Sequence, residues 1–150
     1  MPMYVCTLDD VPRGRELLTI LFKAMENIES ALELLHGLEF FHCDIKPANI
    51  FMDSNGGIVL GDFGSTVDEG QEIYATPGYV PKEAMKHNSA CRAFDYSLLA
   101  ATLADMLQLY SPDKAGAFSL YTPLPEDLPH EFLTRLQEIW AIAQAAFPIC

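Results

Sequence analysis

The chain has 150 residues, of which 21 are Asp or Glu and 9 are Lys or Arg, so its formal net charge is −12. This charge argues against nucleic acid and against anionic membrane surfaces as partners, because both attract basic rather than acidic proteins. A length of 150 residues predicts a single domain that buries about 68–70% of its unfolded surface. Half of the residues are hydrophobic, which excludes wholesale disorder.

The first part of the chain is predicted to contain an extended start, a long helix and a hairpin. Prolines and a glycine interrupt residues 1–14, which should therefore be extended and turn-like. Over residues 15–36 apolar side chains recur at three- and four-residue intervals, which predicts one face of an amphipathic helix. The turn sequence SNGG separates two short apolar runs and predicts a β-hairpin of residues 50–52 with 58–60.

The second part is predicted to contain two further helices between polar loops. Residues 64–83 show no periodicity, and a loop of that length is usually functional or mobile. Apolar residues return at helical spacing over 91–109 and over 130–146, while four prolines predict a loop at 111–129. Pro148 should end the last helix. The predicted fold class is therefore α+β, mainly α, with one short hairpin.

The cysteines and the apolar segments bear on the compartment. Cys6, Cys43, Cys91 and Cys150 lie far apart and form no CxxC pair, which argues against a zinc site and a disulfide framework. The first ten residues lack the basic start and apolar run of a secretory signal, and no apolar stretch is long enough to span a bilayer. We therefore expect a protein of a reducing compartment, cytoplasmic or nuclear.

The polar loop between the long helix and the hairpin carries the residues that suggest a chemistry. Asp44, Lys46 and Asn49 lie in this loop, and Asp62 follows the hairpin beside Gly64, which should allow a sharp turn of the backbone. Metal-assisted phosphoryl transfer needs a carboxylate that accepts a proton, oxygen ligands for Mg²⁺ and a positive charge near the phosphate. These side chains supply each of those groups, so the loop is a candidate phosphoryl-transfer site.

Four ordered motifs resemble the large, carboxyl-terminal lobe of the eukaryotic protein kinase family. HCDIKPAN (42–49) is similar to the catalytic loop, GDFG (61–64) to the metal-binding motif, and TPGYVPKE (76–83) to the segment that ends in A-P-E. Asp95 matches the aspartate at the start of the helix that follows. The Lys-Pro pair after the loop aspartate is similar to the serine/threonine branch of the family.

This resemblance implies a role for each side chain. Asp44 would be the catalytic base and Lys46 a phosphate contact, while Asn49 and Asp62 would bind Mg²⁺ and thereby ATP. Asp95 would hold the backbone of the catalytic loop. The implied cofactors are Mg²⁺ and ATP, and the implied substrate is a protein hydroxyl.

The resemblance also divides the single domain, residues 1–150, into three parts. Residues 1–14 are similar to the hinge that leads into the large lobe, 15–110 to the catalytic core of that lobe, and 111–150 to a shortened helical end. The stretch NIFMD…IVLGDFG is, in addition, similar to kinases of large DNA viruses.

The chain departs from the family pattern in several places. It contains no glycine-rich loop, no V-A-I-K lysine and no glutamate to pair with that lysine, so the small lobe is expected to be absent. Cys43 replaces the arginine of H-R-D, which argues against control by loop phosphorylation. Cys43 as a nucleophile is a weaker alternative, since His42 is the one base near it in sequence. PKE replaces A-P-E, and no arginine follows Arg135 to pair with Glu83.

These observations leave competing functions open. The first is a serine/threonine kinase lobe that works in a bipartite assembly or in a longer gene product, as the intact motif residues suggest. The second is an inactive kinase-like decoy that binds a kinase or its substrate through open cleft surface. The third is a decayed fragment with no selected role. The expected partners are ATP and a protein substrate or partner kinase, with neither nucleic acid nor membrane among them.

Overall fold

The computed structural model describes residues 4–68, 70–87 and 89–147, and of Arg15 the backbone alone. These residues form three α-helices: α1 (Leu18–Gly37), α2 (Arg92–Met106) and α3 (His130–Gln144). They also form five short strands: β1 (Tyr4–Thr7), β2 (Phe40–Phe41), β3 (Ile50–Asp53), β4 (Ile58–Leu60) and β5 (Val67–Asp68). The mainly helical α+β fold class predicted from the sequence is confirmed. None of the described helices combines the length and the apolar character needed to cross a bilayer.

Helix α1 buries one face and exposes the other, as its periodicity predicts. Its buried residues recur at helical spacing and pack into the main core: Leu21, Ala24, Met25, Ile28 and Leu32. A 3₁₀ turn, Arg15–Leu17, precedes the helix, so α-helical geometry begins three residues later than predicted. The reason is a tight turn at Gly14, whose φ is +135° and whose carbonyl accepts from the Leu17 amide.

Helix α2 is the centre of the molecule. Every residue from Phe94 to Met106 is buried, so the helix is enclosed on all sides rather than on the one side predicted. It packs against α1 and α3. The two helices predicted at 91–109 and 130–146 are confirmed with slightly shorter bounds, and the proposed role of Pro148 lies outside the described residues.

The predicted hairpin is confirmed and belongs to a larger sheet. Strands β3 and β4 pair antiparallel, with Ile50 opposite Leu60. Strand β1 pairs antiparallel with the other edge of β3, which the sequence did not predict. A second small sheet joins β2 to β5 through Phe41 and Val67. The loop predicted at residues 64–83 therefore contains strand β5. The pairing of β5 with β2 holds the beginning of this long loop beside the polar loop that follows β2.

A segment that we call the strap (residues 110–120) crosses the part of the chain that follows Thr76. The Tyr110 hydroxyl donates to Gly78 O at 3.0 Å, and the Lys82 amide donates to Phe118 O at 2.8 Å. A Cβ atom placed on Gly78 would collide with the Pro112 carbonyl oxygen. The two segments therefore touch backbone to backbone at a position that only glycine fills without displacement.

Gly78→Ala is expected to destabilise the fold by about 1–3 kcal/mol, because the new methyl group must push the strap away. Urea unfolding followed by circular dichroism measures this loss. Gly37→Ala is the matched control, since a Cβ atom there meets nothing within 4 Å. Equal stability of the two variants would contradict the close approach of the strap.

Candidate functional site

Asp95 fastens the polar loop (residues 42–49) to α2. Its carboxylate is fully buried and accepts from the amides of His42 at 2.9 Å and Cys43 at 2.8 Å. The Nε2 atom of His36 lies 2.8 Å from the same carboxylate. Cys43 adopts φ +69°, a strained value for a residue with a side chain, so the loop needs this external anchor. The predicted bracing role of Asp95 is confirmed.

Asp44 lies at the centre of a network of polar side chains. Its Oδ1 atom accepts from the amide and the hydroxyl of Thr76, at 3.1 and 2.8 Å. Lys46 Nζ donates to the same hydroxyl at 2.8 Å and lies 3.8 Å from Asp44 Oδ2. The structure thus brings Asp44 and Lys46 together and adds Thr76, which the sequence placed only in a long loop. Its one sequence signal is its position at the start of TPGYVPKE.

Asn49 joins this network from the end of the loop. Its side chain is buried, and Nδ2 donates to Asp44 O at 2.7 Å and to Asp44 Oδ2 at 3.4 Å. Because the amide nitrogen is the atom that donates here, the amide oxygen is the atom that can act as a metal ligand.

Asp62 reaches the site through the main chain of its neighbour. The Gly61 amide donates to Asn49 O at 2.9 Å, and Gly61 O lies 2.7 Å from His42 Nε2. No hydrogen bond among the described residues joins the Asp62 side chain to Asp44, Lys46 or Asn49. The main chain of Gly61 therefore holds Asp62 beside the polar loop, while the carboxylate of Asp62 stays exposed.

The turn at Asp62 differs from the prediction. Asp62 itself takes the left-handed conformation, with φ +52°, and Gly64 does not. Aspartate tolerates this region better than most residues because its short side chain can bond locally. Here Asp62 Oδ1 accepts from the Gly64 amide at 3.4 Å, a long contact that leaves the carboxylate open to a ligand.

His42 is a structural residue. It is fully buried, and Nδ1 accepts from the Asp44 amide at 3.2 Å. Nε2 bonds the Gly61 carbonyl, so this nitrogen carries the proton. The Phe63 ring meets the imidazole edge-on, with centroids 5.2 Å apart. With both nitrogens occupied, His42 connects the polar loop to the Asp62 turn and is not placed to move protons.

Cys43 does not have the surroundings of a nucleophile. Burial, and then the negative charge of Asp95, raise the pKa of its thiol far above the usual range. A thiol that stays protonated at neutral pH reacts slowly, because the thiolate is the reactive form. The alternative of a nucleophilic cysteine at this position is therefore disfavoured.

The donor set fits magnesium rather than a transition metal. Asn49 and Asp62 offer an amide oxygen and a carboxylate, which are hard ligands of the kind Mg²⁺ prefers. Within the described residues no group of three or more His, Cys, Asp or Glu side chains could hold a metal. Mg²⁺ commonly takes one or two protein ligands of this hard kind and completes its shell with phosphates and water.

Asp105, near the end of α2, anchors the segment that carries Thr76. The Tyr79 hydroxyl donates to Asp105 Oδ2 at 2.7 Å, and Arg13 Nη2 donates to the same atom at 2.9 Å. Arg13 also pairs with Asp9 at 2.9 Å. Both aspartates of α2 therefore hold loops, one near each end of the helix.

Glu83 has partners other than the arginine of the family pattern. Its carboxylate accepts from the Ser119 hydroxyl at 2.6 Å and from the Leu120 amide at 2.7 Å. Arg135 lies 3.6 Å from Glu29 instead. Sequence reasoning missed these donors because a serine in a proline-rich loop carries no charge signal.

Comparisons with known proteins agree with the geometry. The family model of the protein kinase domain matches residues 18–117. A probable cAMP-dependent protein kinase catalytic subunit of Encephalitozoon cuniculi is 40% identical over 89 residues, which cover 57% of the chain and 27% of that protein. Human serine/threonine-protein kinase Sgk2 is 32% identical over 128 residues (79% and 33%). Human cAMP-dependent protein kinase catalytic subunit PRKX is 36% identical over 104 residues (67% and 29%). The chain spans a third or less of the length of these relatives.

Proposed function

The chain belongs to the eukaryotic serine/threonine protein kinase family. From this premise we propose that it supplies the catalytic loop and the metal ligands of a site that transfers phosphate from Mg·ATP to a protein hydroxyl. The observation that carries this proposal is the hydrogen-bonded cluster of Asp44, Lys46, Thr76 and Asn49. They include a carboxylate, a cation and an amide oxygen of the kind that phosphoryl transfer requires, and Asp44 lies within hydrogen-bond reach of Thr76 and Asn49.

Asp44 is the proposed general base. Thr76 occupies one carboxylate oxygen, Oδ1, and so fixes the orientation of the group. The other oxygen, Oδ2, is the one that would accept the proton of the substrate hydroxyl as its oxygen bonds to phosphorus and the bond to ADP breaks. Lys46 lies 3.8 Å from Oδ2 and would place positive charge beside the transferred phosphate.

Asn49 and Asp62 are the proposed metal ligands. The Asn49 amide is held by its hydrogen bond to Asp44 O, which leaves its oxygen free for an ion. The Asp62 carboxylate is exposed, and Gly61, the residue before it, bonds Asn49 through the main chain. When bound, Mg²⁺ would neutralise the charge that develops on the phosphates.

An apolar cavity beside Thr76 supports a protein substrate. Its volume is about 220 Å³, enough for one apolar side chain of a peptide. Its walls come mostly from the segment after β5 and from α2: Ile73, Ala75, Pro77, Val80, Met85, His87 and Phe94. The cavity is lined by both neighbours of Thr76, the residue whose hydroxyl bonds the proposed base.

The proposed site needs a second wall over the nucleotide. The outer face of the β1–β3–β4 sheet carries exposed apolar side chains, with Tyr4 and Val59 exposed by 46% and 38%. The Tyr4 and Phe51 rings lie 5.5 Å apart on this sheet. We propose that further residues of a longer product, or a second protein, cover this face and complete the cleft.

The same open face favours one alternative, a kinase-like decoy that binds a kinase or its substrate without turnover. Exposed apolar surface on a sheet often marks a binding site. The decoy would bind its partner without needing Mg·ATP, and this separates the two functions.

Asp62→Ala is expected to weaken binding of Mg·ATP by roughly 10- to 100-fold, since a charged ligand contact is worth about 1.5–3 kcal/mol. Calorimetric titration at millimolar nucleotide with excess Mg²⁺ measures this. Asp68→Ala, an exposed aspartate on β5, is the control and should bind as the parent does. Unchanged affinity in Asp62→Ala would contradict its role as a ligand. Absent nucleotide binding together with retained binding to a kinase would favour the decoy.

A further inference from the structure

We infer that Ser119 is a positioning residue for the proposed transfer: it holds Glu83, and through Glu83 the segment that presents Thr76 to Asp44. This inference rests on the proposed function, because the Thr76–Asp44 contact matters to a reaction only if Asp44 is the base. The contacts themselves can be tested without any reaction.

The Glu83 carboxylate is held by neutral donors. Ser119 Oγ donates to Oε2 at 2.6 Å, and the Leu120 amide donates to Oε1 at 2.7 Å. Among the side chains that the structure describes, no lysine or arginine pairs with Glu83. Hydrogen bonds to an ionised acceptor are about twice as strong as neutral ones, so the hydroxyl is a principal support of this carboxylate.

The Ser119 hydroxyl is oriented for this contact. Its oxygen accepts from the Tyr121 amide at 3.2 Å, which leaves the proton to point at Glu83. Ser119 is half-buried, so water competes with it only in part. A threonine at this position would keep the hydroxyl. An alanine would remove it, and the Glu83 carboxylate would lose the hydrogen bond from residue 119.

The strap and residues 76–83, which carry Thr76, are joined at both ends. The Tyr110 hydroxyl bonds Gly78 O at one end, and the Lys82 amide bonds Phe118 O next to the Ser119 contact at the other. The Tyr79 amide donates back to Thr76 O at 3.0 Å, so a 3₁₀ turn connects Thr76 directly to the clamped residues.

The effect of Ser119 on Asp44 must therefore pass through residues 76–83, and Glu83 is the side chain by which Ser119 holds that segment. No hydrogen bond among the described residues connects Ser119 with residues 42–49. A change at Ser119 that alters the environment of the Thr76 amide is thus a sign of positioning, whereas a general loss of stability lowers the melting temperature without moving that resonance in the native state.

The test uses the ¹H–¹⁵N resonance of the Thr76 amide in the intact chain. Asp44→Asn serves as the reference, because it removes the charge that this amide faces. Ser119→Ala is expected to move the resonance toward the reference and to speed its hydrogen exchange about tenfold. Ser119→Asp should move it further, since its carboxylate would face that of Glu83. Ser119→Thr should restore the parent spectrum, and Ser111→Ala, an exposed serine of the strap, should not alter it.

A parent-like Thr76 resonance in Ser119→Ala, with only a lowered melting temperature, would overturn the inference. If that variant does not fold, Glu83→Gln takes its place, because it keeps an oxygen for the Leu120 amide while weakening the Ser119 contact. An unmoved Thr76 resonance there would overturn the inference equally. Failure of the proposed function would appear as absent phosphate transfer with these spectral shifts intact, so the two failures are distinguishable.

Discussion

Asp95→Ala is expected to remove about 3–5 kcal/mol from the free energy of unfolding, a large part of the 5–15 kcal/mol typical of a domain. The substitution leaves the buried amides of His42 and Cys43 without acceptors. Each unpaired buried donor costs about 1–3 kcal/mol. The left-handed conformation of Cys43, φ +69°, loses its support at the same time.

Urea unfolding followed by circular dichroism measures this prediction. Asp95→Asn has nearly the same volume but replaces one acceptor oxygen with a donor, so it should also lose stability if acceptance of hydrogen bonds is what matters. Asp113→Ala, an exposed aspartate of the strap, should change stability by no more than about 0.5 kcal/mol. Parent-like stability of Asp95→Ala would show that the polar loop does not depend on α2.

The elements that the sequence predicts well are those with a repeating pattern or a strong turn signal. Helix α1 follows from its apolar stripe, and the β3–β4 hairpin follows from SNGG between two apolar runs. Strand β1 could not be found in this way, because none of its four residues, YVCT, is buried and they show no alternation. Its pairing with β3 depends on tertiary contact, which overrides local propensity in short edge strands.

The site residues likewise fall into those that a local motif predicts and those that only long-range contacts bring together. Asp44, Lys46 and Asn49 lie within six residues of one another, so a motif can place them together. Thr76 enters through hydrogen bonds to Asp44 that span 32 positions from within a loop without periodicity. The Ser119–Glu83 contact spans 36 positions and involves a neutral partner. Long-range bonds between irregular segments leave no local signal, and these are the parts that only the folded chain reveals.

The contacts also show why α2 governs the site although it contributes no proposed catalytic group. Asp95 holds the polar loop from one end of the helix, and Asp105 holds Tyr79 from the other. Between them the helix is buried on all sides, so neither carboxylate can move without disturbing the core. Asp44 and Thr76 meet because two separate loops are fixed to one rigid element, which is the preorganisation that phosphoryl transfer needs.

Asp44→Asn is expected to lower phosphate transfer about 10²- to 10⁴-fold, the range contributed by a general base, while Mg·ATP binding stays close to that of the parent. Asparagine keeps an oxygen that can accept from Thr76, so the fold should survive. Its amide nitrogen cannot accept the proton that the Oδ2 atom of the carboxylate would take.

Transfer of labelled γ-phosphate from ATP to a serine- and threonine-containing peptide library measures this effect, with Asp68→Asn as the isosteric control on β5. A large loss in Asp44→Asn with parent-like nucleotide affinity identifies a contribution to the chemical step rather than to binding, because the two are separated in the measured constants. Undiminished transfer in Asp44→Asn would remove Asp44 from the role of base. A parent chain that still transfers no phosphate when the partner that covers the β1–β3–β4 sheet is bound, and that binds this partner without Mg·ATP, would instead place the chain with the decoys.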